Sequence, residues 1–72
     1  MRRRRTIQSD LLGNLRRALE GRVVVEQAKG VLAYQLDIDM AAAYDELLRR
    51  SERDGTALTA AAAATIDEAR RH

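Results

Sequence analysis

The 72-residue chain predicts an all-α fold: a small three-helix domain whose long first helix extends into a dimeric coiled coil. Three observations predict it. The sequence contains no proline. Its apolar residues recur at helical spacing, and the one β-branched run, Val23-Val24-Val25, sits inside a longer helical pattern. Two short clusters of turn residues, Asp37-Ile38-Asp39 and Asp54-Gly55-Thr56, cut the chain into three periodic segments.

The first helix is expected to begin at Thr6 or Ser9, either of which can cap it, and to run to Tyr34 or Gln35. Leu11, Ala18, Val25 and Leu32 recur every seven residues, with Leu12, Leu15, Leu19 and Ala28 widening the stripe. Such a heptad seam predicts packing against another helix along the whole length. The N-terminal half outreaches what two short helices can cover, which makes Ile7, Leu11, Leu15 and Ala18 the candidate dimer seam. Gly13 and Gly21 each weaken the helix by about 1 kcal/mol. Gly30 carries the same cost, which is explained if something approaches that backbone closely.

The second helix is expected from Met40 to Arg53, with Asp39 as its N-cap. Met40, Ala43, Tyr44, Leu47 and Leu48 follow the i, i+3, i+4, i+7, i+8 rule of a buried face, which assigns Tyr44 to the core. Gly55 is the expected C-terminal stop and Thr56 the next cap. The third helix, Ala57 to Arg70, lines up Leu58, Ala61, Ala62, Thr65, Ile66 and Ala69 on one narrow face of mostly small residues. Short turns between three helices imply a compact antiparallel bundle. The chain thus divides into a basic N-terminal tail, residues 1–8, and a three-helix domain, residues 9–70.

Composition excludes several functions. A domain this short buries only about 60% of its unfolded surface. With no Phe or Trp and only Tyr34 and Tyr44 as aromatics, the core is thin, and a dimer partner or neighbouring domain is expected to support it. The absence of cysteine rules out disulfides and thiolate metal sites and fits a reducing, cytoplasmic setting. The basic N-terminus is followed by no apolar run, so it is not a secretory signal, and nothing approaches the roughly 20 apolar residues of a membrane span. Catalysis is unsupported: the sole histidine is the terminal His72, Ser51 has no base, and Asp37 and Asp39 suit capping better than metal binding. No enzyme activity, metal or cofactor is expected.

The net charge of +2 depends on Arg2 to Arg5; without them 9 basic residues face 11 acidic ones. A case for nucleic acid must therefore rest on where the charges lie. The arginine run is either a mobile tail or a salt-sensitive phosphate grip. Arg22 and Lys29, seven residues apart, share a helix face; they are either ordinary surface, with Glu26 as a partner, or a basic contact. Arg49, Arg50 and Arg53 either complement the end of the second helix or form a second basic patch beside Lys29. Tyr44, if not in the core, could stack on an unpaired base, as could Tyr34.

The stretch Arg22-Val23-Val24-Val25-Glu26-Gln27-Ala28-Lys29-Gly30-Val31-Leu32 resembles the signature of the ANTAR family, the RNA-binding antitermination domains of bacteria. Ala43-Tyr44, Leu47-Leu48-Arg49 and Ser51 resemble its second block, and Leu58, Ala61-Ala62 and Thr65-Ile66 its third. The resemblance covers about Leu15 to Ile66, and the Gln27-Ala28-Lys29-Gly30 core is its most specific part. It implies a dimer formed through the first helix that binds tandem short-loop RNA hairpins in a nascent transcript and keeps the competing terminator from forming. It places Lys29 and Arg49 on the RNA-facing surface, with Arg22, Tyr44 and Arg50 as further candidates. It also implies a sensor domain or protein, in cis or in trans. Ala33 and Ala42 depart from the family pattern, and Ala42 leaves Asp39 without the second half of a capping box. The alternative from another class is a helical interaction module that dimerises and binds no nucleic acid. DNA binding is disfavoured because a recognition helix needs long polar side chains and the third helix offers mostly alanine.

Overall fold

The computed structural model describes the backbone over residues 2–71 and side chains over residues 10–71. Three helices follow in order: α1 (Arg2–Leu36), α2 (Met40–Asp54) and α3 (Leu58–Arg71). The all-α expectation holds, and the boundaries of α2 and α3 fall within a residue of those read from sequence. The start of α1 differs. Helical backbone reaches back to Arg2 rather than beginning at Thr6 or Ser9. Arginine is a strong helix former and neither Pro nor Gly occurs before Gly13, so nothing in the sequence forces an earlier break. The seam residue Ile7 lies among the side chains outside this description, as does His72.

Both helix breaks use the same device. At the end of α2, Gly55 adopts the left-handed conformation (φ 64°) and its N–H donates to Glu52 O, while Thr56 N donates to Ser51 O at 3.1 Å. This is the Schellman pattern, with bonds reaching back three residues from Gly55 and five from Thr56. The Ser51 hydroxyl adds a bond to Thr56 O at 2.6 Å. At the end of α1, Asp37 takes the left-handed position (φ 53°), and Ile38 N donates to Ala33 O at 3.1 Å. Ile38 and Ala33 both pack against the core, supplying the apolar contact that accompanies such a stop. Asp39 then caps α2 as expected, accepting from Ala42 N at 2.8 Å. Thr56 is not the cap of α3. The Ala57 carbonyl accepts the first helical bond, from Ala61 N at 3.0 Å, which puts alanine in the cap position and Thr56 one residue too early.

The core comprises Val25, Ala28 and Leu32 of α1, Ala43 and Leu47 of α2, and Ala61 and Ala62 of α3. Leu32 and Leu47 are the largest fully buried side chains. Alanines at the crossings let the helices approach closely. Gly21 carries this furthest, since a Cβ there would meet Thr59 Cγ2 at 3.1 Å. The contact places the start of α3 beside Gly21, so the bundle covers only the C-terminal half of α1. The rest projects, giving a molecule 53 Å long and 25 × 22 Å in section.

Two sequence expectations change here. The heptad of Leu11, Ala18, Val25 and Leu32 is not one seam. Val25 and Leu32 are buried in the chain's own core, whereas Leu11 (62% exposed) and Ala18 face solvent. Tyr44 is not a core residue. The buried axis of α2 runs through Ala43 and Leu47, and Tyr44, at its edge, is 37% exposed. Among the described residues no helix is long and apolar enough to cross a membrane.

Asp37 pays twice for its place, because aspartate is strained at positive φ and its charge opposes the C-terminal end of the α1 dipole. Asp37→Gly is expected to stabilise the fold by about 1 kcal/mol, read as a rise of about 4–8 °C in the thermal midpoint. Leu47→Ala is expected to cost about 2–5 kcal/mol, enough to leave the variant largely unfolded by circular dichroism at 25 °C.

Candidate nucleic-acid interface

Lys29 sits on the flank of α1 that faces α2. Its ammonium lies 5.5 Å from the centre of the Tyr44 ring and 3.2 Å from Glu26 Oε1. The side chain is only 18% exposed, so its stem is packed and its charge is held at a fixed point on the surface. A cation over an aromatic face at this distance gains about 0.5–1 kcal/mol where solvent reaches it. An ammonium has three donors. Glu26 takes one and the ring face attracts another, which leaves donor capacity for an incoming anion. Tyr44 keeps part of its ring open to solvent, as base stacking needs. Arg22, nearly two turns before Lys29 on the same side of α1, is exposed and forms no ion pair among the described residues.

Arg49 and Arg50 lie elsewhere. Arg49 is five residues beyond Tyr44, about 140° around the helix. The second basic patch therefore does not adjoin Lys29; it occupies the flank of α2 that faces α3. Glu46 organises it. Its Oε1 accepts from Arg49 Nε at 3.1 Å and lies 3.0 Å from Arg49 Nη2, and its Oε2 accepts from Arg50 Nε at 3.0 Å. The Arg50 hydrogen bond, partly opposed by burial and reinforced by Arg49, holds the Glu46 carboxyl below the ordinary glutamate range. Arg50 Nη1 also donates to Thr65 Oγ1 at 3.4 Å, and the buried Thr65 hydroxyl donates to Ala61 O at 2.9 Å. The result is a polar clip, Glu46–Arg50–Thr65, joining α2 to α3. Arg49 remains 67% exposed at its rim, and Arg53 (68% exposed) pairs with its neighbour Asp54.

The two arginines thus separate by role. Arg50 is occupied by the fold, whereas Arg49 presents its guanidinium outward. Glu46 is absent from the sequence expectations, yet its signal is in the sequence, since a glutamate three and four residues before two arginines is the favourable helical order. Thr65 as the far end of the clip had no such signal. Gln27 points away from Lys29 and lines a shallow groove between α1 and α3 with Val24, Ile66 and Arg70. Tyr34 is 90% exposed at the end of α1. Gly30 is exposed, and a Cβ there would meet nothing within 4 Å. No contact within the chain requires that glycine.

A small helical bundle that holds a lysine beside a part-open tyrosine on its surface has the parts of a binding site. The family model of the ANTAR domain matches residues 13–66, three-quarters of the chain, and the protein belongs to that family. ANTAR domains are non-catalytic RNA-binding antitermination modules that bind RNA hairpins. No curated protein and no solved structure matches the chain.

Arg50→Ala is expected to destabilise the fold by about 1–2 kcal/mol, because it leaves Thr65 and Glu46 without their shared partner. Arg49→Ala, at an exposed pair, is expected to shift stability by less than about 0.5 kcal/mol; chemical denaturation of both variants compares them directly. Glu46 also sets a pH dependence. A carboxyl whose pKa is lowered on folding contributes stability above its unfolded pKa and loses it as pH falls through the folded value. The wild-type chain is therefore expected to lose midpoint temperature below about pH 4.5 more steeply than Glu46→Gln.

Proposed function

We propose that this chain acts as a dimeric antiterminator. Each copy binds one of two tandem short-loop hairpins in a nascent transcript and so prevents the competing terminator hairpin from forming. Residues 9–70 form the folded module and residues 1–8 its basic extension. The observation that carries the reading is the Lys29–Tyr44 pair, at 5.5 Å, which joins the signature stretch of α1 to α2 within the matched residues 13–66. Lys29 and Arg22 supply phosphate contacts from α1, and the open part of the Tyr44 ring receives an unpaired loop base. Arg49 adds a phosphate contact from the other flank of α2, while Arg50 acts indirectly by holding α2 against α3. No covalent step is involved. The RNA equilibrium shifts by the difference in affinity between the two RNA folds.

The dimer is supported by the projecting half of α1. Leu11, Leu12, Leu15 and Leu19 are 56–65% exposed on a stretch that α2 and α3 do not cover. A lone amphipathic helix of this length is marginal in water, and a second copy supplies the apolar surface it lacks. A sensor domain or protein, in cis or in trans, is part of the same proposal, as is a cytoplasmic site of action on nascent RNA.

Titration with a tandem two-hairpin RNA against a loop-scrambled control, in about 150 mM salt to screen non-specific attraction, tests the reading. Tight, loop-dependent binding is expected. The double variant Lys29→Gln, Arg49→Gln is expected to lose it while still melting cooperatively, about 5–10 °C below the parent at most, with the salt slope falling by about one for each phosphate contact removed. Tyr44→Phe is expected to bind and Tyr44→Ala to bind weakly. Equal, weak binding of both RNAs by the parent would overturn the reading in favour of an interaction module without RNA activity.

A further inference from the structure

Two residues near the end of α1 gain nothing from the bundle. Gly30 is exposed, and a Cβ there would meet nothing within 4 Å, although glycine weakens a helix interior. Tyr34 is 90% exposed, although an aromatic ring has more apolar surface to bury than most side chains. They stand four residues apart, about one turn along the same side of the helix. Helical side chains lean toward the N-terminus, so Tyr34 rises over the turn that Gly30 leaves bare. The pair makes a notch with backbone for its floor and an aromatic ring for one wall.

Glu26 closes the other end. It lies four residues before Gly30 and continues the same row, which borders Lys29 on the side away from the buried Ala28 and Leu32. Its side chain is 54% exposed, and its Oε1 accepts from Lys29 Nζ at 3.2 Å. A carboxylate has about four acceptor sites, and Lys29 uses one. From Glu26 to Tyr34 the helix rises about 12 Å, which suits one planar base.

Charge decides what enters. A carboxylate repels phosphate, so an RNA backbone is kept out of the notch while the neighbouring ammonium attracts one. The same carboxylate accepts from a base that turns an amino group toward it. The ring stacks on any base, since every base has a π-face. An unpaired base with an exocyclic amino group therefore satisfies floor, wall and carboxylate together. Uracil, which carries a carbonyl oxygen where cytosine carries its amino group, does not.

We propose that Glu26, Gly30 and Tyr34 form a second base site, which takes an unpaired, amino-bearing base of the bound loop, with Glu26 as the residue that specifies it. This rests on the RNA-binding reading above and deepens it. Lys29, paired with Glu26 on α1 and with Tyr44 on α2, then holds a phosphate between two bases, one in the notch and one on the Tyr44 ring.

The test uses tandem two-hairpin RNAs in which each loop position in turn carries cytosine or uracil, titrated in about 150 mM salt. The parent is expected to favour cytosine at one position by about tenfold. Glu26→Gln is expected to lose that preference, because an amide can accept from cytosine or donate to uracil. The ratio of the two affinities is insensitive to the charge freed on Lys29. Tyr34→Ala is expected to weaken binding by about 5- to 100-fold, and Tyr34→Phe to leave it unchanged. Gly30→Leu, which fills the notch, is expected to weaken binding while its thermal midpoint rises by about 4–8 °C; a merely structural glycine would move both in the same direction. Loop-dependent binding by the parent without a cytosine preference at any position, or with one that survives Glu26→Gln, would overturn the notch and leave the RNA reading standing. So would full affinity in both Tyr34→Ala and Gly30→Leu. Equal binding of intact and scrambled loops by the parent would overturn both.

Discussion

The structure depends on the division of one helix between two tasks. α1 must bury its inner face against α2 and α3 to make a core, and it is more than twice as long as either of them. Only its C-terminal half is covered. That half contributes Val25, Ala28 and Leu32, and with Leu47 from α2 these residues provide most of the apolar volume the bundle can bury. A core with two large fully buried side chains has little reserve against loss. The remaining structure economises accordingly: close crossings through alanine and Gly21, tight Schellman stops at both breaks, and a polar clip from Arg50 to Thr65 that fastens the two shorter helices.

The same division places the candidate RNA surface. Lys29 lies one residue beyond the buried Ala28, on the edge where α1 meets α2. Packing of its stem and pairing with Glu26 and Tyr44 fix an ammonium that would otherwise sweep a wide volume. Less entropy is then lost when an anion docks. Five basic residues of the bundle pair with a carboxylate: Lys29 with Glu26, Arg49 and Arg50 with Glu46, Arg53 with Asp54 and Arg71 with Asp67. Such pairing suppresses indiscriminate attraction to polyanions and leaves recognition to geometry. This accords with a module that must choose one RNA fold over another.

Much of the fold was legible in the sequence, and the failures have physical causes. Asp39 and Gly55 announced the helix ends because their chemistry suits those backbone positions almost uniquely. Asp37 did not, since aspartate tolerates positive φ but does not signal it. The heptad from Leu11 to Leu32 was read as one interface because periodicity shows which residues share a face and not which partner covers them; the turn at Asp37 sends α2 back over only half of it. Tyr44 was assigned to the core because it lies next to the Ala43–Leu47 axis, and a large ring at the edge of a stripe satisfies the same pattern as one at its centre. Lys29 was found through its family signature. That Arg49 stands on the other flank of α2 follows from a rotation of about 140°, but which helix covers which flank required the fold.

The proposal that a second copy supports the half of α1 the bundle leaves uncovered can be tested by amide hydrogen exchange across a dilution series. Amides from Val25 to Leu32 are expected to be protected at every concentration. Those from Leu11 to Glu20 are expected to gain protection only as concentration rises. Uniform, concentration-independent protection along the whole of α1, or none over Leu11 to Glu20 at any concentration, would contradict the account.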